Sequence, residues 1–81
     1  MAESRRKIVV VDDDEIKRYT VSRLLEKAGF GVVEVSTGAG ALEAAQSNPD
    51  LIILDVGLPD INGFEVCRRI KNESSNRTII I

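Results

Sequence analysis

The sequence predicts an α/β domain built on a parallel sheet, and three observations support this fold class. Residues 8–11 and 51–54 form two runs of branched apolar side chains without polar alternation, which is typical of strands covered by helices on both faces. Each run is followed by an acid, Asp12 or Asp55. Segments with helical spacing alternate with short apolar runs, and this order indicates βαβ units with parallel strands and right-handed crossovers.

The first strand is predicted over residues 7–11, since β-branched side chains favour strands. An amphipathic helix with an acidic first turn follows over residues 15–28, and Gly29 supplies a left-handed stop. Apolar or small side chains recur in this helix at three- and four-residue spacing, at Ile16, Tyr19, Thr20, Leu24, Leu25 and Ala28.

The remaining elements continue the alternation. A short strand is predicted over residues 32–35, and Ser36 and Thr37 can cap a second helix that runs to about Gln46 and is ended by Asn48 and Pro49. The central strand follows from Asp50 to Asp55. After Gly63, a third short helix is expected to contain Phe64, Val66, Cys67 and Ile70. A polar loop over residues 72–77 leads to a fourth strand over residues 78–81.

Length and composition limit the function. The chain has 81 residues and a net charge of −2, so residues 1–81 make one small domain at most. Its lysines and arginines form no basic stripe, and direct nucleic-acid contact by this domain is not expected. The single cysteine, Cys67, cannot form an internal disulfide. Because the sequence shows neither an apolar leader nor a membrane-length run, we expect a cytoplasmic domain without membrane contact.

Acidic residues after the two buried strands predict a functional site. The two strands deliver Asp12, Asp13 and Asp55 to one sheet edge, where ligands gather in open α/β folds, and the three carboxylates share one small site if these strands are neighbours. Carboxylates about 4 Å apart repel by roughly 4 kcal/mol per pair at an effective dielectric constant near 20. The cluster therefore needs raised pKa values or a cation, and Mg²⁺ suits carboxylate ligands. Helix capping by Asp13 or Asp14, and an ordinary turn at Asp55, are the alternatives.

Two segments together resemble the receiver domain of two-component response regulators. They are Val9-Val10-Val11-Asp12-Asp13-Asp14 and Asp55-Val56-Gly57-Leu58-Pro59-Asp60-Ile61-Asn62-Gly63-Phe64-Glu65. The similarity extends from about Lys7 to Ile81. It implies a flavodoxin-like doubly wound parallel sheet with strand order 2-1-3-4-5. The residues given would supply (βα)3β, the N-terminal portion of such a domain, without its last strand and two helices.

The resemblance also implies roles for residues. Asp55 becomes the phosphoacceptor for a histidine kinase or a histidine phosphotransfer protein, and Asp13 becomes the direct Mg²⁺ ligand. Asp12 would act on the metal mainly through water, and Gly57 through its backbone carbonyl. Such a domain is not an enzyme in the usual sense, although it promotes its own phosphorylation and dephosphorylation. The family's switch hydroxyl and its lysine fall beyond Ile81.

The family resemblance further predicts how the domain meets its partners. The start of the first helix, around Ile16 and Tyr19, is the expected docking surface, although an apolar residue on such a helix is more often part of the core. If the domain ends after the fourth strand, the apolar edge from Thr78 to Ile81 is expected to self-associate, because unprotected edges recruit other strands.

Three other functions compete with this interpretation. The segment Gly38-Ala39-Gly40 suggests a dinucleotide loop, but the position for the third glycine is Glu43. A phosphatase of the haloacid dehalogenase type also uses an aspartate at a strand end, but its second acid would fall at Gly57. A pseudo-receiver or truncated interaction module, which keeps the fold without phosphotransfer, remains the alternative.

Overall fold

The computed structural model describes residues 6–73 and 78–80. The elements are β1 (Lys7–Val11), α1 (Glu15–Lys27), β2 (Gly31–Val35), α2 (Gly38–Ala45), β3 (Leu51–Leu54), α3 (Gly63–Glu73) and β4 (Thr78–Ile80). The four strands form one parallel sheet in the order β2-β1-β3-β4. The predicted alternation, the parallel direction and the order of the first four strands are confirmed.

The register of β1 aligns the ends of the strands. Val11 pairs with Val35 of β2 on one side and with Leu54 of β3 on the other. The ladder extends one residue further, because the amide of Asp12 donates to the carbonyl of Val35 at 3.0 Å and the amide of Asp55 donates to that of Val11 at 3.0 Å. Asp12 and Asp55 thus leave the sheet at the same level.

One face of the sheet carries α2 and α3 and holds the main core. Alternate residues of β1 and β3 point to this face and pack against small residues of α2 and apolar residues of α3. The buried members of this core are Val9, Val11, Ala41, Ala45, Ile52, Leu54, Val66 and Ile70, none of which is more than 4% exposed. This closely packed core fixes the two central strands whose ends carry the acids.

The opposite face carries α1, and here the expected amphipathic pattern was misleading. Ser22 is buried and Arg18, Val21 and Leu25 are half-buried, whereas most of the apolar positions counted in the sequence face solvent. Ile16 is 77%, Tyr19 53% and Leu24 64% exposed. Arg18 reaches toward the sheet through hydrogen bonds to Asp12 and Glu34, and these contacts help to set which face of the helix turns inward.

Helix ends follow the predicted capping chemistry with small shifts. Thr37 caps α2 by accepting the amide of Gly40 at 3.0 Å, and Gly29 adopts a φ of +100° after α1, as a left-handed stop requires. Helix α3 continues through Asn72, so the predicted start of the polar loop was wrong. The rest of that loop, residues 74–77, lies outside the described residues.

Strand β4 lies at the edge of the sheet and pairs with β3. Its predicted last residue, Ile81, is outside the described part of the chain, and self-association through this strand stays a prediction. Among the described helices, none has the length and apolar character needed to cross a membrane.

Candidate functional site

Three carboxylates lie together at the carboxyl end of the two central strands. Asp12 and Asp13 follow β1, Asp55 follows β3, and one oxygen of each lies within 4.8 Å of the others. Asp12 and Asp55 are half-buried, whereas Asp13 is exposed. The structure therefore brings together the side chains that the sequence predicted at this edge. Their individual roles stay predictions.

The donor set of this cluster fits a hard divalent cation. Carboxylate oxygens no more than 4.8 Å apart repel by roughly 3 kcal/mol or more at an effective dielectric constant near 20. Three such groups at one edge favour the binding of positive charge, and oxygen donors are those that Mg²⁺ and Ca²⁺ prefer. The half-buried positions of Asp12 and Asp55 reduce the screening of this field by salt.

Helix capping explains one acid of the run from Asp12 to Asp14, but it does not explain the other two. Asp14 is the N-cap of α1, because its Oδ1 accepts the amides of Ile16 at 3.0 Å and Lys17 at 3.2 Å. A carboxylate at this end of a helix is stabilised by the helix dipole. Since Asp14 caps the helix, Asp13 is left to face the cluster.

Hydrogen bonds on three sides hold Asp12. Its Oδ1 accepts the amide of Asp14 at 2.9 Å, and its own amide donates to Val35 at 3.0 Å. Its carbonyl accepts Nη1 of Arg18 at 2.9 Å, and Nε of Arg18 donates to Glu34 at 3.1 Å. The backbone of Asp12 is thereby fixed to β2 and to α1, which orients a carboxylate that sits among like charges.

Arg18 is a residue that the sequence analysis missed. Its side chain is 17% exposed and forms an ion pair with Glu34, so a positive charge lies close to the acidic cluster. No spacing rule marks this residue, because its partners come from two other parts of the chain.

The β3–α3 loop, residues 55–62, begins at the phosphoacceptor candidate. The amide of Gly57 donates to Oδ1 of Asp55 at 3.3 Å, an Asx turn of the kind that aspartate favours. The amide of Gly63 donates to the carbonyl of Val56 at 3.1 Å, so the loop folds back on its own start. Gly57 thus lies beside Asp55, and the role of its carbonyl stays a prediction.

Two acids outside the cluster have perturbed pKa values. The amides of Gly38 and Ala39 donate to the carboxylate of Asp60 and hold its pKa below the ordinary value of 3.8. Hydrogen bonds from Arg68 and then Arg69 lower the pKa of Glu65 from its ordinary value of 4.5. Both carboxylates therefore stay ionised at neutral pH.

The contact with Asp60 also bears on the dinucleotide alternative. The amides that open α2 would have to receive a phosphate in such a loop, but a carboxylate of the same chain already accepts those of Gly38 and Ala39. Neither the phosphatase motif nor the third glycine of a dinucleotide loop is present in the sequence. The acidic edge remains the best candidate site.

The predicted docking residues lie beside this edge and face solvent. Ile16 is 77% exposed and Tyr19 is 53% exposed, so neither belongs to the core. The ring of Tyr19 lies 5.5 Å from the guanidinium of Arg23, and its hydroxyl accepts Nη1 of Arg23 at 2.7 Å. Their use as a docking surface stays a prediction.

Comparison with known proteins places this geometry in a family. The chain matches the model of the response regulator receiver domain over residues 8–81. It is 42% identical over 69 residues to the alkaline phosphatase synthesis transcriptional regulatory protein PhoP of Bacillus subtilis, covering 84% of this chain and 29% of that protein. It is 40% identical over 75 residues to the transcriptional regulatory protein CseB of Streptomyces avermitilis, covering 91% of this chain and 32% of that protein. The chain thus spans about a third of the length of these relatives.

Solved structures show the same fold. The response regulator TrrA of Thermotoga maritima, in complex with Mg²⁺-BeF, superposes with a TM-score of 0.90 at 34% identity, covering 94% of this chain and 67% of that chain. The complex of the histidine kinase ThkA with TrrA gives a TM-score of 0.86 at 33% identity, covering 91% of this chain and 65% of that chain. The flavodoxin-like doubly wound fold predicted from the sequence is confirmed.

Proposed function

Because the chain belongs to the response regulator receiver domain family, we propose that Asp55 is the phosphoacceptor of a two-component signalling domain. The phosphoryl group comes from a phosphohistidine of a histidine kinase or of a histidine phosphotransfer protein. The observation that carries this proposal is the convergence of Asp12, Asp13 and Asp55 within 4.8 Å at the end of the central strands.

The chemistry is an in-line displacement at phosphorus. An oxygen of Asp55 attacks, a P–O bond forms, the P–N bond to the imidazole breaks, and its electron pair stays on the imidazole nitrogen. A carboxylate is a competent nucleophile for this step. The position of Asp55 at a strand end keeps it half-buried but accessible, and the amide of Gly57 lies 3.3 Å from its Oδ1.

The residues around Asp55 fit a Mg²⁺ site. Asp13 would bind the ion directly, Asp12 mainly through water, and Asp55 and the carbonyl of Gly57 would complete the protein ligands. When bound, Mg²⁺ neutralises negative charge on the phosphoryl oxygens. Asp12 is held for this task by Asp14, Val35 and Arg18. The same site would promote both phosphorylation and dephosphorylation of the domain itself.

The kinase partner is proposed to contact the exposed start of α1. The complex of TrrA with the kinase ThkA is a precedent for such a partner, and Ile16 and Tyr19 offer apolar surface beside the acidic edge. The curated relatives are named transcriptional regulators. For the protein that carries this domain, we propose that DNA contact belongs to an output segment outside residues 1–81. A cytoplasmic location stays a prediction.

A pseudo-receiver, which binds a partner without phosphotransfer, is the competing function. Acetyl phosphate and mass spectrometry separate the two. We expect one phosphoryl adduct when Mg²⁺ is present and none when it is chelated.

Asp55→Asn should abolish the adduct. Asp50→Asn is the matched control: Asp50 precedes the same strand, lies at the opposite end of it, and accepts the amide of Lys7 at 2.7 Å. An adduct that persists in Asp55→Asn would overturn the assignment of the phosphoacceptor. A protein that takes up no phosphoryl group under any condition would support the pseudo-receiver.

A further inference from the structure

Asp60 connects the β3–α3 loop to a helix that is distant in sequence. Its Oδ1 accepts the amide of Gly38 at 2.8 Å, and its Oδ2 accepts the amide of Ala39 at 3.0 Å. These amides belong to the first two residues of α2 and lie 22 and 21 residues earlier in the chain. Both oxygens of a solvent-exposed carboxylate are thus engaged by one partner element.

Helix α2 cannot satisfy these amides by itself. The first turn of an α-helix leaves four amides without intrahelical partners. Among the described contacts at this end, the side chain of Thr37 accepts the amide of Gly40 and its carbonyl accepts that of Ala41, but neither accepts the amides of Gly38 and Ala39. The first turn of α2 has no acidic residue. Asp60 therefore supplies both the acceptors and the negative charge that the positive end of the helix favours.

The close packing of the loop against α2 requires a glycine at position 38. A Cβ on Gly38 would lie 2.9 Å from Cβ of Ile61 and 3.2 Å from Oδ1 of Asp60. Gly38 is buried under this contact, and Ile61 is partly buried against the core. The loop is thus seated on α2 by close packing as well as by the carboxylate.

We propose that Asp60 is a positioning residue: by tying the β3–α3 loop to the first turn of α2, it holds the backbone of Gly57 beside Asp55. The hydrogen bond from the amide of Gly57 to Asp55 is weak, because its donor–acceptor distance of 3.3 Å is beyond the usual range for an amide donor. Gly57 lies three residues before Asp60, so an anchor at Asp60 limits how far its backbone can move.

The inference rests on the proposed function, because it assigns Asp60 an influence on the affinity of the acidic site for Mg²⁺. It predicts that Asp60→Ala weakens Mg²⁺ binding by about tenfold, the lower end of the effect seen when residues that orient metal ligands are lost. Asp60→Asn, which keeps one acceptor oxygen, should give a smaller loss and guards against failure of the alanine variant to fold.

Thr37→Ala is the matched control. It removes a cap from the same helix but keeps the carboxylate of Asp60 that accepts the amides of Gly38 and Ala39. Mg²⁺ affinity of the full chain is measured by calorimetric titration, together with thermal melting and amide hydrogen exchange of the loop. We expect both variants to lower the melting temperature, but only the Asp60 variants to weaken Mg²⁺ binding and to speed exchange in the loop.

Two other results would overturn this inference, and a third would overturn the proposed function. Equal Mg²⁺ affinity in the Asp60 and Thr37 variants would overturn the inference and leave Asp60 as a helix cap. A loss of affinity that disappears in about 0.5 M salt would also overturn it, since exposed charges act over a distance that salt shortens. If the unaltered chain binds no Mg²⁺ and takes up no phosphoryl group, the proposed function itself fails.

Discussion

Gly63→Ala tests whether close approach of two backbone segments shapes the candidate site. A Cβ on Gly63 would lie 2.5 Å from Cα of Val56, 2.8 Å from the carbonyl oxygen of Asp55 and 3.1 Å from the amide nitrogen of Val56. All three neighbours are backbone atoms, so no side chain can rotate away. Ordinary contacts start near 3.4 Å, and the start of α3 must therefore move by about 0.9 Å from the chain that follows Asp55.

Two opposing effects decide the sign of the stability change. Replacing glycine by alanine reduces the freedom of the unfolded chain and stabilises by about 0.4–1 kcal/mol where the backbone fits. Overpacking costs about 1–3 kcal/mol. Among the described glycines, only Gly29 has a positive φ, so backbone conformation does not oppose alanine at Gly63. We expect the steric effect to dominate, with a net loss of about 1–2 kcal/mol.

Urea denaturation followed by circular dichroism measures this loss. For a domain of this size it corresponds to a fall in melting temperature of about 4–8 °C per kcal/mol. Gly57→Ala is the control, because a Cβ there would lie 3.9 Å and 4.0 Å from the carboxylate oxygens of Asp55, which is ordinary contact. Its stability should not fall, and the loss of freedom in the unfolded chain should raise it by about 0.4–1 kcal/mol. A Gly63→Ala protein as stable as the parent, or more stable, would refute the steric argument.

Two further predictions concern charge. Asp13→Asn should weaken Mg²⁺ binding in a calorimetric titration and leave the metal-free fold intact or slightly more stable, because it relieves carboxylate repulsion; unchanged affinity would remove Asp13 from the site. Asp60 and Glu65 have lowered pKa values, so their contribution to stability is present at neutral pH and is lost as the pH falls below their ordinary values of 3.8 and 4.5. Glu65→Gln should therefore make the free energy of unfolding fall less steeply at acid pH. A pH dependence identical to that of the parent would contradict this linkage.

Much of the fold was fixed by local patterns in the sequence. The runs over residues 8–11 and 51–54 have no polar alternation, which is typical of strands covered by helices. Because parallel strands deliver their carboxyl ends to one edge, the placement of Asp12 and Asp55 at that edge also followed from the pattern. Their meeting depended on β1 and β3 being neighbours, which the tertiary structure shows. The stops at Gly29 and the cap at Thr37 have local causes and were predicted for the same reason.

The orientation of α1 was decided by tertiary contacts. Counting apolar residues pointed to Ile16, Tyr19 and Leu24, all of which are exposed. The inward face instead includes Arg18 and Ser22, because Arg18 finds partners on β2 and at the end of β1. Hydropathy cannot reveal such a face, because the hydrogen-bond partners of Arg18 come from other segments of the chain and because Ser22 is buried although its Oγ has no hydrogen-bond partner among the described residues.

Which acids cap helices and which belong to the candidate site was also decided by the structure. The sequence placed Asp12, Asp13 and Asp55 at one edge, but it left open whether Asp13 or Asp14 caps the first helix and assigned no role to Asp60. Backbone geometry assigns Asp14 to α1 and Asp60 to α2, and it leaves the other three within 4.8 Å of one another. The sequence determined that carboxylates would gather at this edge, because strand direction is a local consequence of the βαβ pattern. Which carboxylate caps a helix and which faces the site was decided only by tertiary structure, because it depends on amides that other segments bring within hydrogen-bond distance.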